Sequence, residues 1–230
     1  MFNSFSRRNN MNRNMKSYSQ IKQDVILYEK YFHKLNTPGI FVEVGAHDGV
    51  SGSNTYAYEK QLGWNGLCFE PIPSVFDKLQ KNRKCKCYQN AVFDKNNQSI
   101  PFLVGIGYTE MLSGILDTQH PSHIQRINNE IQQMGGSKTI IDVDTITLES
   151  ALSKNNIKHV NYLSVDTEGS ELQVLRGINF DEVFIDVIDV ENNYPDSFVD
   201  VKNFLITKGF RHEFSIQWDE IFVNSKSSLL

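Results

Sequence analysis

The sequence predicts a doubly wound α/β sheet, mostly parallel and finished by antiparallel strands at one end. Three observations carry this. Short β-branched runs alternate with amphipathic stretches once the first residues are passed. Runs such as residues 40–44 (IFVEV) are too apolar for a strand wetted on one face, which is how central parallel strands read. Acids stand at the carboxyl ends of four runs (Glu43, Glu70, Asp166 and Glu191), where ligands of such sheets bind.

Each element follows from local pattern. Ile21, Val25, Leu27, Tyr28, Tyr31, Phe32 and Leu35 recur at three- and four-residue steps, which predicts a helix that Pro38-Gly39 stops. After the strand at 40–44, Ser53 and Asn54 offer cap types for a helix ending near Gly63. Residues 66–71 form a second strand ending in Glu70, and 73–83 a helix with proline near its start. Residues 86–94 read as one third strand and 99–105 as a fourth, outside the basic alternation. From Ile106 to about Gly136 the pattern loosens around one helix, Pro121 to Gln133. A long flexible insertion of this kind carries specificity more often than stability. A strand at 138–146 and a short helix at 148–156 come next, then strand, loop and helix again over 160–177. Residues 183–193 form a strand ending in Glu191, residues 196–210 a helix stopped by Gly209, and 210–215 with 218–224 an antiparallel pair.

The 230 residues contain no linker, so one domain is expected over residues 19–230. Residues 1–18 are basic, acid-free and rich in Asn and Ser, the composition of a disordered tail. A net charge of −4 gives no global reason to expect nucleic acid or a membrane surface as partner, and no apolar run is long enough to span a bilayer. Three cysteines, Cys68, Cys85 and Cys87, make a poor disulfide framework, and Cys85-Lys86-Cys87 is too short for the usual zinc pairing. Reduced thiols in the cytoplasm are the expectation. Oligomeric state leaves no mark on the sequence.

The loop after the first strand bears on the cofactor. Gly45 and Gly49 let backbone approach a ligand that a Cβ would push away. Glu70, 21 residues beyond Gly49, suits a carboxylate accepting both hydroxyl protons of a ribose, although Glu43 or Glu70 alone serves equally well as a helix cap. The loop Gly45-Ala46-His47-Asp48-Gly49 lacks the middle glycine of a dinucleotide fingerprint, and Glu43 and Asp48 would repel a pyrophosphate. A ligand with an ammonium and no phosphate fits better, and S-adenosylmethionine is one.

Residues 18–24 (YSQIKQD), 41–71 (FVEVGAHDGVSGSNTYAYEKQLGWNGLCFEP), 90–94 (NAVFD) and 162–177 (YLSVDTEGSELQVLRG) together resemble the FkbM-type methyltransferases, in order along most of the chain. The resemblance implies a Rossmann-like class I methyltransferase fold and S-adenosylmethionine-dependent O-methylation, often of a sugar-type hydroxyl. It implies that Glu43, Gly45 and Gly49 form the first cofactor motif, that Glu70 binds the ribose, and that Ala91, Val92 and Asp94 flank the adenine. Asp166, Glu168, Gly169 and Glu171 match the motif D-x-E-G-x-E, beside methyl donor and acceptor. His47 stands where relatives often have asparagine, and residues 113–127 resemble the family only loosely, which leaves the acceptor open.

Methyl transfer from a sulfonium is an in-line displacement in which positioning supplies much of the acceleration, and a base helps an alcohol attack. Asp166 is expected as that base or as an orienter of the hydroxyl, with His123 folding over the site from the insertion as a second catalytic group. Glu168, Glu171 and Glu191 are expected to bind the acceptor, a carbohydrate-like or nucleoside-like small molecule or glycan. A Mg²⁺ alternative exists, with Asp166, Glu191 and Asn192 as hard oxygen ligands, but the resemblance does not require it. Two rivals are a nucleotide-dependent oxidoreductase, opposed by the missing glycine and the acidic loop, and a non-catalytic binding domain, opposed by the joint presence of Glu43, Glu70 and Asp166.

Overall fold

The computed structural model describes residues 15–230. In chain order its main elements are α1 (Gln23–Lys30), β1 (Ile40–Val44), α2 (Tyr56–Leu62), β2 (Asn65–Phe69), α3 (Pro73–Asn82), β3 (Lys86–Tyr88), β4 (Ala91–Val92), β5 (Ser99–Ile106), β6 (Gly114–Ile115) and α4 (Pro121–Met134). They continue with β7 (Ser137–Ile146), α5 (Leu148–Lys154), β8 (His159–Val165), α6 (Glu171–Arg176), β9 (Phe184–Glu191), α7 (Pro195–Thr207), β10 (Phe210–Ile216) and β11 (Asp219–Asn224).

Seven strands form the main sheet in the order β10-β11-β9-β8-β1-β2-β3. The five from β9 to β3 run parallel, while β11 pairs antiparallel with β9 and β10 with β11. This is the class I methyltransferase arrangement, a Rossmann-like sheet with a reversed strand at one end. Alternation along β1 divides the core. Val42 and Val44 pack with Leu67, Leu163 and Val190 on one face, and Phe41 packs with Tyr58, Trp64 and Tyr162 on the other. β1 has parallel neighbours on both sides, β2 and β8, so strand order reverses here and a crevice opens above their carboxyl ends.

Two expectations change. The anticipated third strand breaks in two, because β3 pairs with β2 only as far as Phe69 and Tyr88. Glu70-Pro71 follows Phe69, and a proline has no N–H to extend a ladder. The next strand, β4, pairs instead with the end of β7, Ala91 opposite Thr145. The insertion is also less loose than its sequence. A second sheet, β4-β7-β5-β6, gathers Phe102, Val104, Ile115 and Val143 into a core of its own, and α4 packs on it through Ile127, which clusters with Leu103 and Leu112.

The first helix is shorter than its apolar pattern, ending at Lys30 and continuing as a 3₁₀ turn over Phe32–Lys34. Of the expected tail, residues 1–14 lie outside the described residues. Residues 15–18 are held by the body: Ser17 Oγ donates to buried Asp24 (2.6 Å), and the Tyr18 ring meets that of Tyr56 edge-on. Among the described residues no helix is long and apolar enough to cross a membrane.

Candidate active site

The loop after β1 is built around a buried ion pair. The Glu43 carboxylate accepts from Ser53 Oγ (2.9 Å), the Asn54 N–H (2.8 Å) and Thr55 Oγ1 (2.6 Å), and pairs with Arg83 Nη1 at 2.9 Å. Arg83, at the end of α3, also reaches Glu59 (2.6 Å) and Thr55 Oγ1 (2.8 Å) with a side chain wholly removed from solvent. Glu43, expected to greet the cofactor, instead pins the loop that frames the crevice, because a buried carboxylate needs a counter-charge and donors. Asp48 is spent locally too. It caps the N–H groups of Val50 and Ser51, and these bonds hold its carboxyl below the usual range despite burial. The charge argument from the loop acids thus loses its geometric basis, although the inference about the cofactor survives on other residues.

The two glycines also do a different job from the one expected. A Cβ on Gly45 (φ +84°) would lie 1.8 Å from the carbonyl oxygen of Asp166, and one on Gly49 (φ +81°) would lie 2.6 Å from Leu79 Cδ1. They let the ends of β1 and β8, and the loop and α3, close on each other. The ligand gains from this indirectly, since Gly45 still borders the cleft.

That cleft, of about 660 Å³ counting the space open to solvent, lies above β1, β2 and β4. Ala91, Val92, Ile72, Phe102 and Ile115 give it an apolar wall. Glu70 stands in it with only 5% of its surface exposed, one oxygen accepting the Ile72 N–H at 2.8 Å. Burial pushes its carboxyl up to about 7. An apolar slot beside one dry carboxylate has the chemical character that a base and its ribose require. Asp94, expected at the adenine, is not among the residues lining this cleft, and its buried Oδ1 has no hydrogen-bond partner among the described residues. Over the mouth, His47 Nε2 meets Glu110 of the insertion at 2.9 Å, and Lys78 reaches the same carboxylate at 3.4 Å.

Asp166 follows β8, its N–H donating to the Val44 carbonyl (3.1 Å), and borders the cleft beside Gly45. Burial pushes its carboxyl up to about 6, while a hydrogen bond with Glu191 restrains the rise. Glu191 and Glu168 go well above the usual range, through burial and through repulsion from Asp166. These directions favour Glu191 as the donor in its hydrogen bond with Asp166. Oxygens of Asp166, Glu168 and Glu191 lie within 4.8 Å of one another, a spacing that also allows a divalent cation. Asn192, the third expected ligand, donates to Glu220 at 2.9 Å.

Glu168 itself occupies a left-handed conformation (φ +56°), strained for a non-glycine residue, and accepts from Asn193 Nδ2 at 3.2 Å. Glu171, expected to bind acceptor, turns back on its own loop: Oε1 accepts from the Thr167 N–H, Thr167 Oγ1 and the Gly169 N–H. In the motif D-x-E-G-x-E the first two acids face the site, and the third holds the turn through Oε1 while also bordering a neighbouring cleft.

His123 corrects a further expectation. It does not swing over the site from a flexible segment but is fully buried in the first turn of α4. Nε2 donates to the Leu112 carbonyl (2.9 Å), so Nδ1 is the acceptor, 3.2 Å from the Tyr194 hydroxyl and 3.4 Å from Glu168 Oε2. Burial lowers its pKa, and with Nε2 donating, Nδ1 is placed to accept from the Tyr194 hydroxyl.

A second cleft of about 730 Å³ adjoins the first at Glu168 and is bordered by Glu191, Asn193, Tyr194, His120 and Gln173. The His120 and Tyr194 rings stack at its rim, centroids 4.5 Å apart. Arg83, Glu110 and Tyr194 escaped the sequence reading. A lone arginine at a helix end reads as a solvent charge, and nothing local marks the other two.

The sheet has class I methyltransferase order, with carboxylates gathered at its switch point and a largely apolar cleft beside them. A sequence model described as the methyltransferase FkbM domain matches residues 43–212, and the chain belongs to that family. It is 26% identical over 158 residues to Methyltransferase 1 of Beauveria bassiana (strain ARSEF 2860), a match spanning 63% of this chain and 61% of that relative. Among solved structures it is similar to methyltransferase FkbM from Methylobacillus flagellatus KT, with 12% identity, TM-score 0.49, and 95% and 58% of the two chains covered. It is also similar to a precorrin-6y C5,15-methyltransferase from Geobacter metallireducens GS-15, with 11% identity, TM-score 0.45, and 94% and 95% covered.

Proposed function

We propose that this chain methylates a hydroxyl group of a sugar-like or nucleoside-like acceptor, a small molecule or a glycan, with Asp166 as general base. The observation that supports this most is the position of Asp166. It borders the cofactor cleft and sits within 4.8 Å of Glu168, the residue common to both clefts. S-adenosylmethionine, when bound, supplies an electrophilic methyl group on a sulfonium.

The residues of the chain do the rest. Glu70 accepts the ribose hydroxyls, and the apolar wall of Val92 and Phe102 takes the purine. The acceptor enters the second cleft, where Asn193 and Glu168 hold its hydroxyls beside Asp166. Asp166 takes the proton as the oxygen attacks, and the Glu191 proton steadies the other carboxylate oxygen. A base with a pKa near 6 is largely ionised at neutral pH and still basic enough to help. The cytoplasm is the proposed compartment, in keeping with three free cysteines.

Labelled methyl transfer to a panel of hydroxyl acceptors tests the reading. Asp166→Asn is expected to lower kcat by about 10²–10⁴-fold while S-adenosylhomocysteine binding changes little. Unchanged turnover on the true acceptor would place the chemistry elsewhere. The spacing of Asp166, Glu168 and Glu191 favours a second reading, in which Mg²⁺ lowers the acceptor pKa. Activity lost on chelation and restored by Mg²⁺ would select it, whereas a rate indifferent to chelator leaves the side-chain base.

A further inference from the structure

The second sheet has an open side. β7 pairs with β5 from Ser137 to Asp144 along one edge. Along the other, among the described residues, only Thr145 and Ile146 are paired, to β4. Residues 137–143 thus turn unpaired backbone donors and acceptors to solvent, with Ile140 exposed over 55% of its surface. An edge of this kind is a template for another strand.

Proteins commonly blunt such edges with charge, and Lys138 and Asp142 stand on this one. Their signs are opposite, however, and their order makes the strand complementary to itself. Antiparallel pairing about a two-fold axis at Ile140 would set Lys138 of each copy opposite Asp142 of the other and the two Ile140 side chains together. All three positions lie on one face, since alternation turns Val143 and Thr145 inward and leaves Lys138, Ile140 and Asp142 exposed. Moving the axis to Ile141 would set Lys138 opposite Asp144 but Ile140 opposite Asp142, so the apolar pair at Ile140 favours the first register. Lys138 Nζ donates to Asn128 (2.5 Å) and keeps two further hydrogens, while Asp142 has no partner among the described residues. Met134, exposed over 59% of its surface at the end of α4, adds apolar area near the start of the strand.

We propose that the protein pairs with a second copy of itself through this edge. The two β4-β7-β5-β6 sheets join into one continuous sheet across a two-fold axis. The interface is isologous, each copy giving the same surface. Opposite charges directly across an antiparallel pair stabilise it, and like charges there destabilise it.

Sedimentation equilibrium of the full chain tests this, with far-UV circular dichroism confirming that each variant is folded. The parent is expected as a concentration-dependent dimer. Lys138→Asp sets acid against acid at both ends of the pairing and should raise the dimer dissociation constant at least about tenfold. The double variant K138D/D142K should restore the dimer. S-adenosylhomocysteine binding should not change in either, since neither residue lines a cleft. A parent that stays monomeric up to its solubility limit overturns the proposal. So does a dimer that K138D leaves intact, or a loss that the double variant does not reverse.

Discussion

Replacing Arg83 by methionine removes one guanidinium and keeps most of the volume. In the native chain that group bridges Glu43 (2.9 Å) and Glu59 (2.6 Å) and donates to Thr55 Oγ1 (2.8 Å). Glu43, only 4% exposed, would be left with the hydroxyl and N–H donors of residues 53–55 but no counter-charge. Breaking a buried pair in this way costs about 3–5 kcal/mol. Against an ordinary domain stability of about 5–15 kcal/mol, that is about a fifth or more of the total. The assay is urea unfolding, where the midpoint should fall with little change in slope. Adding Glu43→Gln to the Arg83→Met chain should recover part of the loss, because an amide still accepts from Ser53 and Thr55 without a charge to strand. S-adenosylhomocysteine affinity should weaken along with stability, since residues 45–55 frame the cleft. A loss below about 1 kcal/mol, or no relief from the second substitution, would refute the view that this ion pair holds the loop.

Glu70 should make cofactor binding depend on pH. In the proposed binding mode ribose hydroxyls donate to its ionised form, so affinity should be full above pH 7 and fall up to about tenfold per unit below it. Calorimetry with S-adenosylhomocysteine measures this, and a flat profile would move the ribose away from Glu70. Stability of the unliganded protein should have the opposite sign. A carboxyl raised from 4.5 to about 7 favours the folded state at low pH, and that advantage is lost as pH rises through 7, a swing of about 3 kcal/mol for this group. Glu70→Gln should flatten that part of the pH dependence in thermal melts. Gly45→Ala should cost more than about 2 kcal/mol, because its Cβ meets the Asp166 carbonyl at 1.8 Å and its φ is +84°; a melting temperature equal to the parent's would contradict this. His123→Asn should cost about 1–3 kcal/mol yet leave the acidic limb of the pH–rate profile in place, whereas loss of that limb would restore His123 as a base.

Much of the site was legible because its signals are local. Glu70 and Asp166 could be placed from strand pattern alone, since an apolar run ending in an acid delivers that acid to the carboxyl edge of a parallel sheet. Gly63 was marked as a helix end and adopts the left-handed conformation (φ +71°) expected there. Other roles depended on partners far along the chain. Glu43 and Arg83 are 40 residues apart in sequence, and nothing near either one announces the other. His123 looked free because residues 106–136 carry weak helix and strand signals, yet the second sheet and α4 bury it against Leu112 and Tyr194.

The sequence by itself determined the alternation of strands and helices, the end of the sheet where the acids gather, and the family, all consequences of short-range periodicity and a contiguous motif. Only the tertiary structure decided what each acid does. Glu43 and Asp48 spend their charge on the loop after β1, Glu171 both holds its own turn and borders the second cleft, and Glu70, Asp166, Glu168 and Glu191 are left to face the clefts. A carboxylate's role depends on which donors and counter-charges surround it once buried, and folding brings those from distant parts of the chain.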